Sequence, residues 1–279
     1  MRDIHIIKDN GDSTQPQNPV DIYAHSIIFA AFNSKETSLA SEAILILTIW
    51  LRVAHNISAA TKNCQLGEIS KAVSNLDSAL AYYVGVGQTK SLTDGYLLYS
   101  LAQRAAEIFH SENFNFEAKA NSQIITFINE ARVLVDSCDG EYSPYLALKA
   151  KNDSILRSMN IPLVQMFVNS LHQSKRNNEK SNYMELYALA VLPQIETCQP
   201  SMYTYLSKQI ILNELDINEI DLLIDAFRST YYCFGITCND VHGDQSDQCG
   251  EASNSLAGFT PFEEVTKVSA VVICLISLL

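Results

Sequence analysis

From residue 21 onward, apolar positions recur at intervals of three and four, and no stretch sustains the strict alternation of a half-buried strand. The pattern predicts helix after helix. The first covers residues 21–32 and carries Tyr23 and His25; the second covers 38–61 and is so uniformly apolar over 43–51 that it should be buried all round. A third spans 68–84, where Ile69, Val73, Leu76, Leu80 and Tyr83 form a seam facing the core. That register puts Tyr83 on the seam and Asp77 at its edge, and Gly85 follows as a stop signal. Ser91-Leu92-Thr93-Asp94 reads as a cap opening a helix that runs to about 109. Further helices are expected at 118–136, 144–172, 180–193, 201–213 and 217–233. Pro144 suits a helix start, Pro162 should kink or split its helix, and Asp216 with Glu219 forms a second cap. The expected fold is all-α, a single multi-helix domain of about eight or nine helices.

Two echoes suggest a pair of diverged helical repeats. Residues 44–55 (ILILTIWLRVAH) match 161–172 (IPLVQMFVNSLH), setting Trp50 over Phe167 and His55 over His172. Residues 98–102 (LYSLA) match 186–190 (LYALA). The link between the echoes is much longer in the first half (56–97) than in the second (173–185). The helix bearing Asp77, Tyr82 and Tyr83 is therefore special to the first half, and a binding protein built this way should have one site, there.

Composition narrows the function. Hydrophobic content of 47% with 18% charged residues describes a folded chain. A net charge of −12, from 31 acids against 19 bases, argues against nucleic acid as a partner and is compatible with a cation. None of the seven cysteines has Cys-x-x-Cys spacing, and six of them precede an apolar tail, an even number that allows three disulfides. Sequons at Asn56-Ile57-Ser58 and Asn152-Asp153-Ser154 point the same way, to an extracellular glycoprotein.

The flanks read differently from the body. Residues 1–20 form a polar lead-in without a basic-then-apolar leader, so the true N-terminus is expected to lie further upstream. The helical domain covers 21–243, a polar stalk 244–267, and an apolar tail 268–279. The tail is shorter than the roughly twenty residues a spanning helix needs. With small residues at Ser253-Asn254-Ser255 it fits a glycolipid-anchor signal, the rival being a truncated transmembrane helix. Both place the protein at a membrane.

Enzyme chemistry finds little support. There is no Gly-x-Ser-x-Gly elbow, no Walker A motif and no Gly-x-Gly-x-x-Gly, and the six histidines are scattered without the His-x-x-x-His or Glu-x-x-His spacing of metal-binding helices. What stands out instead is oxygen. Asp77, Tyr82 and Tyr83 close one helix, Tyr96 and Tyr99 come with the next, and hard oxygen donors suit a highly charged ion such as ferric iron. The alternative is a packed helix pair whose tyrosines are core residues with hydroxyls at the rim.

The series Asp77-x-x-x-x-Tyr82-Tyr83-Val84-Gly85, Gly95-Tyr96, Arg104-Ala105-Ala106-Glu107-Ile108-Phe109 and Asn129-Glu130-Ala131-Arg132 resembles the low-iron-inducible periplasmic protein family of algae, which includes the phytotransferrins. Tyr23-Ala24-His25-Ser26-Ile27-Ile28-Phe29-Ala30 is similar to that family's first helix, and the likeness extends over about 21–243. Where the family's first motif would carry a second acid and a tryptophan, this chain has Ser78 and Ala79. The resemblance implies a non-enzymatic, membrane-anchored protein on the extracellular or periplasmic side, capturing Fe(III) with carbonate as a synergistic anion. It implies metal ligands among Asp77, Tyr82, Tyr83, Tyr99 (or Tyr96) and His55, with Arg104 or Arg132 holding the anion. Asp77 and Tyr83 lie about 120° apart around an ideal helix, so a shared site would need one of the tyrosines to reach round beyond Gly85. The competing expectation is a helical surface glycoprotein of structural or adhesive role, without metal. A carbon-acquisition enzyme is a third, which the missing zinc and nucleophile motifs disfavour.

Overall fold

A 36-residue helix runs through the core, and several of the other helices pack against it. The computed structural model describes residues 27–89, 94–212, 214–243 and Cys249. The lead-in, the stalk and the apolar tail fall outside the described residues, as do Tyr23 and His25. The fold is all-α; among the described residues the only β-type pairing is an isolated bridge between Glu112 and Ala118.

After a helical stretch α1 (27–33), helix α2 (Thr37–Gln65) runs the length of the domain. It is long and apolar enough to cross a membrane, yet Leu39, Ile46, Trp50, Val53 and Ile57 are all buried inside the protein. Its middle turn, Leu45–Ile49, is π-helical. A short link then returns the chain as α3 (Ile69–Val84), which packs extensively against α2. The buried face of α3 is Ala72, Leu76, Ala79 and Tyr83, a four-three-four seam. Gly85 ends α3 with φ +81°, and a Cβ there would come within 2.9 Å of Leu97, so glycine fits both the backbone and the contact.

Helix α4 (Leu98–Phe109) begins later than the Ser91–Asp94 motif suggested. Residues 91–93 lie outside the described residues, and Asp94 to Leu97 are not helical. A tight loop leads to α5 (Lys119–Val135), and the Cys64–Cys138 disulfide ties its end to that of α2. The axial helix α6 (Tyr142–Asn177) contains Pro162 and runs on past it, so of the expected kink or split the split does not occur. One backbone hydrogen bond is lost at proline, but flanking contacts hold the helix together: one turn earlier the Trp50 indole donates to the Met159 carbonyl (3.4 Å). The two echoing segments thus lie on helices that pack against each other.

The second half is more broken than its periodicity suggests. Helix α7 (Asn182–Val191) gives way to a turn α8 (Pro193–Glu196), then α9 (Pro200–Ile210). The expected helix over 217–233 is a 3-10 turn (Ile217–Glu219), α10 (Ile220–Arg228) and a second 3-10 turn (Tyr231–Phe234). The break at 229–230 has a local cause, because the hydroxyls of Ser229 and Thr230 donate back to the carbonyls of Ala226 and Phe227 (2.7 and 2.6 Å). Asp216 caps as expected, accepting from the Asn218 N–H. The last described element is α11 (Cys238–His242).

Cys198–Cys233 and Cys238–Cys249 complete three disulfides. On chain-entropy grounds the Cys64–Cys138 link, closing 74 residues of sequence, stabilises by about 4 kcal/mol. Three disulfides suit an oxidising, extracellular or secretory setting. The sequons do not add to that picture. Asn56 and Asn152 are buried, and the Asn152 amide donates to the Ile57 carbonyl and the Thr61 hydroxyl, so a glycan on either has no room in this fold.

Candidate functional site

Tyr83 sits at the buried end of the α3 seam, 1% exposed, with its hydroxyl donating to Asn121 Oδ1 at 2.6 Å. Asn121 belongs to the first turn of α5, in register with the buried Ile124, Ile128 and Ala131. Its amide nitrogen donates to the carbonyl of Tyr99 (3.0 Å), and the Tyr99 hydroxyl donates to Glu117 Oε1 (2.9 Å). The other carboxylate oxygen, Oε2, accepts from Ser122 (2.9 Å). Three helices and one loop therefore collect two phenols, a carboxylate and an amide oxygen in one connected network.

Gln103 on α4 holds the loop that presents Glu117: its Oε1 accepts from the Ala118 N–H (2.9 Å) and its Nε2 donates to the Phe116 carbonyl (2.7 Å). Burial raises the Tyr83 phenol well above its ordinary pKa, and the nearby Tyr99 and Glu117 push it further the same way. Tyr99 is raised by burial, then by its hydrogen bond to Glu117 and the carboxylate's charge. Both phenols are protonated at neutral pH. A ligand that ionises them must bring positive charge of its own.

The remaining expected site residues lie elsewhere. Asp77 is exposed on the flank of α3 and pairs with Arg132 of α5 at 3.2 Å. This pair borders an open groove of about 440 Å³ with Leu80, Ala81, Val84 and Ile125, on a different face of α3 from Tyr83. Tyr82 is 38% exposed and stacks under the Arg52 guanidinium, 5.6 Å from the ring centre. Tyr96 is almost fully exposed. His55 is held below its ordinary pKa by burial and by Arg52, and its Nδ1 is buried without a hydrogen-bond partner. Arg104 gives its guanidinium to Glu42 (2.9 Å).

The expected convergence of Asp77, Tyr82, Tyr83, Tyr99 and His55 is therefore not what the contacts show. Only Tyr83 and Tyr99 share a network, because the helical register that buries Tyr83 turns Asp77 and Tyr82 outward. Among the described residues no three of His, Cys, Asp and Glu gather as a metal-binding group; the oxygen cluster is built mainly from phenols.

Glu117 and Asn121 escaped sequence reasoning. Asn121 had a visible signal, a polar residue in the apolar register of its helix, where it must find a buried partner. Glu117 had none, since its position depends on the loop. A second network was also missed. Glu42, buried on α2, accepts from Arg104 and from the hydroxyl of Tyr187, itself 1% exposed.

In comparisons with protein-family models, with curated proteins and with solved structures, nothing matches this chain.

Proposed function

We propose that the chain captures ferric ion on the extracellular side of a membrane, with Tyr83, Tyr99 and Glu117 as the ligands and Asn121 as their organiser. The observation that carries this reading is that Asn121 binds the Tyr83 hydroxyl and the main-chain carbonyl of Tyr99, whose phenol holds Glu117, with both Tyr99 and Glu117 close enough to raise the Tyr83 phenol. The Glu117 oxygens accept from hydroxyls, which leave the carboxylate's charge in place, so the cluster is an acidic oxygen site in a half-buried setting. Fe(III) prefers such hard donors and lowers the pKa of a coordinated phenol enough to displace its proton. The three disulfides support the location. Capture needs no catalysis, only affinity and reversibility.

Proton displacement makes binding pH-dependent with a definite sign. Each phenol that binds as phenolate releases one proton, so affinity falls as pH drops, by up to about tenfold per unit for each proton released. Carbonate as a co-ligand would steepen the loss, since it too protonates in acid. The test is a titration of the folded, disulfide-intact protein with chelated ferric ion, with and without bicarbonate, following the phenolate-to-iron absorption band and proton release. A band with proton release supports capture, and a bicarbonate requirement supports the anion. No band at any pH between 6 and 8 contradicts the proposal.

One observation favours a second reading, a disulfide-stapled structural ectodomain without metal. Three of the expected ligands already have a partner within the protein: Tyr83 with Asn121, Tyr99 with Glu117, Asp77 with Arg132. The same titration separates the two.

A further inference from the structure

Where α10 and α11 both pack on α6, three buried side-chain atoms stand without a hydrogen-bond partner among the described residues: Arg228 Nε, the Tyr231 hydroxyl and His242 Nε2. Each is there for a local reason. Arg228 lies in the last turn of α10, where its Nη1 reaches the exposed Asp225 at 2.9 Å and Nε stays inside. The Thr230 hydroxyl ends that helix by donating back to the Phe227 carbonyl (2.6 Å). The 3-10 turn that follows opens on Tyr231, whose ring meets Phe227 edge to face at 5.5 Å. His242 ends α11 with its ring against Phe109 at 6.0 Å, and the Gln165 amide of α6 pins α11 by donating to the Val241 carbonyl (2.8 Å). Tyr231 and His242 are 1% and 4% exposed.

Buried polar atoms are almost always satisfied, and three orphans at one corner call for a bound species that completes them. The chemistry of the three favours an acceptor. Arg228 Nε can only donate, and the Tyr231 hydroxyl and a His242 protonated at Nε2 can donate beside it. Charge points the same way. Burial raises the Tyr231 phenol and Arg228 draws it back, while burial, then Arg228 and His172 of α6, push His242 down. The acids nearby are already engaged: Asp221, which acts on His172 against Lys175, Arg176 and Arg228, is paired with Lys175, and Asp225 takes Arg228 at Nη1. A guanidinium edge buried without an acceptor favours a counter-anion.

We propose that Arg228 Nε, the Tyr231 hydroxyl and His242 Nε2 form a binding site for one small monovalent anion of the halide class, which fastens the end of the second half onto α6. One permanent cation, already shared with an exposed carboxylate, balances a single negative charge and no more. The site lies in the second half and is independent of the ferric reading of the first.

The experiment compares urea denaturation of the full-length, disulfide-intact protein at pH 7 in sodium chloride and in sodium gluconate of equal ionic strength, for the parent, Tyr231→Phe and Arg228→Gln. In gluconate Tyr231→Phe removes only an unsatisfied hydroxyl, so its stability should match or exceed the parent's. Chloride should stabilise the parent in a saturable way. Its apparent affinity should fall about fivefold in Tyr231→Phe and about tenfold in Arg228→Gln. Where Arg228→Gln does not fold, Tyr231→Phe decides alone. A parent equally stable in the two salts overturns the proposal and leaves water in the corner. A chloride effect that Tyr231→Phe keeps at full strength overturns it as well, since the anion then binds elsewhere.

Discussion

Tyr99 and Tyr187 occupy equivalent places in the LYSLA and LYALA echoes, and each donates its hydroxyl to a glutamate, Glu117 and Glu42 respectively. Both rings are buried and both phenols are raised by burial first. The difference lies in what else the carboxylate holds. Glu42 is met by Arg104, a guanidinium that cancels its charge and lowers the Tyr187 phenol against the other effects. Glu117 is met by the Ser122 hydroxyl, and Tyr83 joins by way of Asn121, which holds the Tyr99 main-chain carbonyl. One echo has closed its tyrosine into a self-neutral structural pair, and the other keeps a negative carboxylate beside two ionisable phenols. The helix that supplies Tyr83 is the one the second half lacks.

The largest expected effect comes from taking away the cation. Arg104→Met leaves the Glu42 carboxylate buried with only Tyr187 for company, and should destabilise by about 3 kcal/mol in urea denaturation. Glu42→Gln in the same background should recover most of the loss. Glu117→Gln, by contrast, keeps an oxygen for Tyr99 and Ser122 and should cost less than about 1 kcal/mol. Equal losses for Arg104→Met and Glu117→Gln would erase the distinction between the two networks.

Acid titration sharpens the comparison once the histidines are taken out of it. His242 is buried against Phe109, and burial, with Arg228 and His172 nearby, pushes it down to about 4. Between its ordinary value and about 4 the unfolded chain binds the proton and the folded one does not. Stability is therefore lost as pH falls through that window, on the order of 3 kcal/mol. His55 and His172, at the other echoing position, are lowered in the same direction. His242→Gln should flatten the profile over pH 6.5 to 4 in thermal melts; an unchanged slope would mean that His242 already carries a proton in the fold.

A smaller pair of effects follows from the phenols. Tyr187→Phe removes a hydrogen bond to a charged group and should cost about 2 kcal/mol, and Tyr83→Phe, bonded to a neutral amide, about 1 kcal/mol. Chemical denaturation of the two variants side by side checks the order.

Much of the architecture could be read from periodicity. The stop at Gly85 and the burial of Leu76 and Tyr83 follow from helical register, which local sequence encodes, while the buried face runs through Ala72 and Ala79 and leaves the expected Ile69 exposed. Disulfide parity was legible as well. The failures share a cause, since each depends on partners far away in sequence or on hydroxyl chemistry that periodicity does not register. Pro162 is carried by tertiary contacts, the helix over 217–233 is cut by Ser229 and Thr230, and the sequon asparagines are spent inside the core. The candidate site was half visible: Tyr83 and Tyr99 could be named from motif and spacing. Glu117 needed the loop, and Asp77 and Tyr82 were drawn in by proximity on a helix whose faces separate them.

The most direct test of the central claim is the phenolate-to-iron absorption band, measured at neutral pH in three proteins: the parent chain, Tyr99→Phe and Tyr187→Phe. The expected result is a band that survives Tyr187→Phe at full strength and is lost or at least halved in Tyr99→Phe. A band absent from the parent chain, or affected equally by both substitutions, would contradict the assignment of the open network as the iron site.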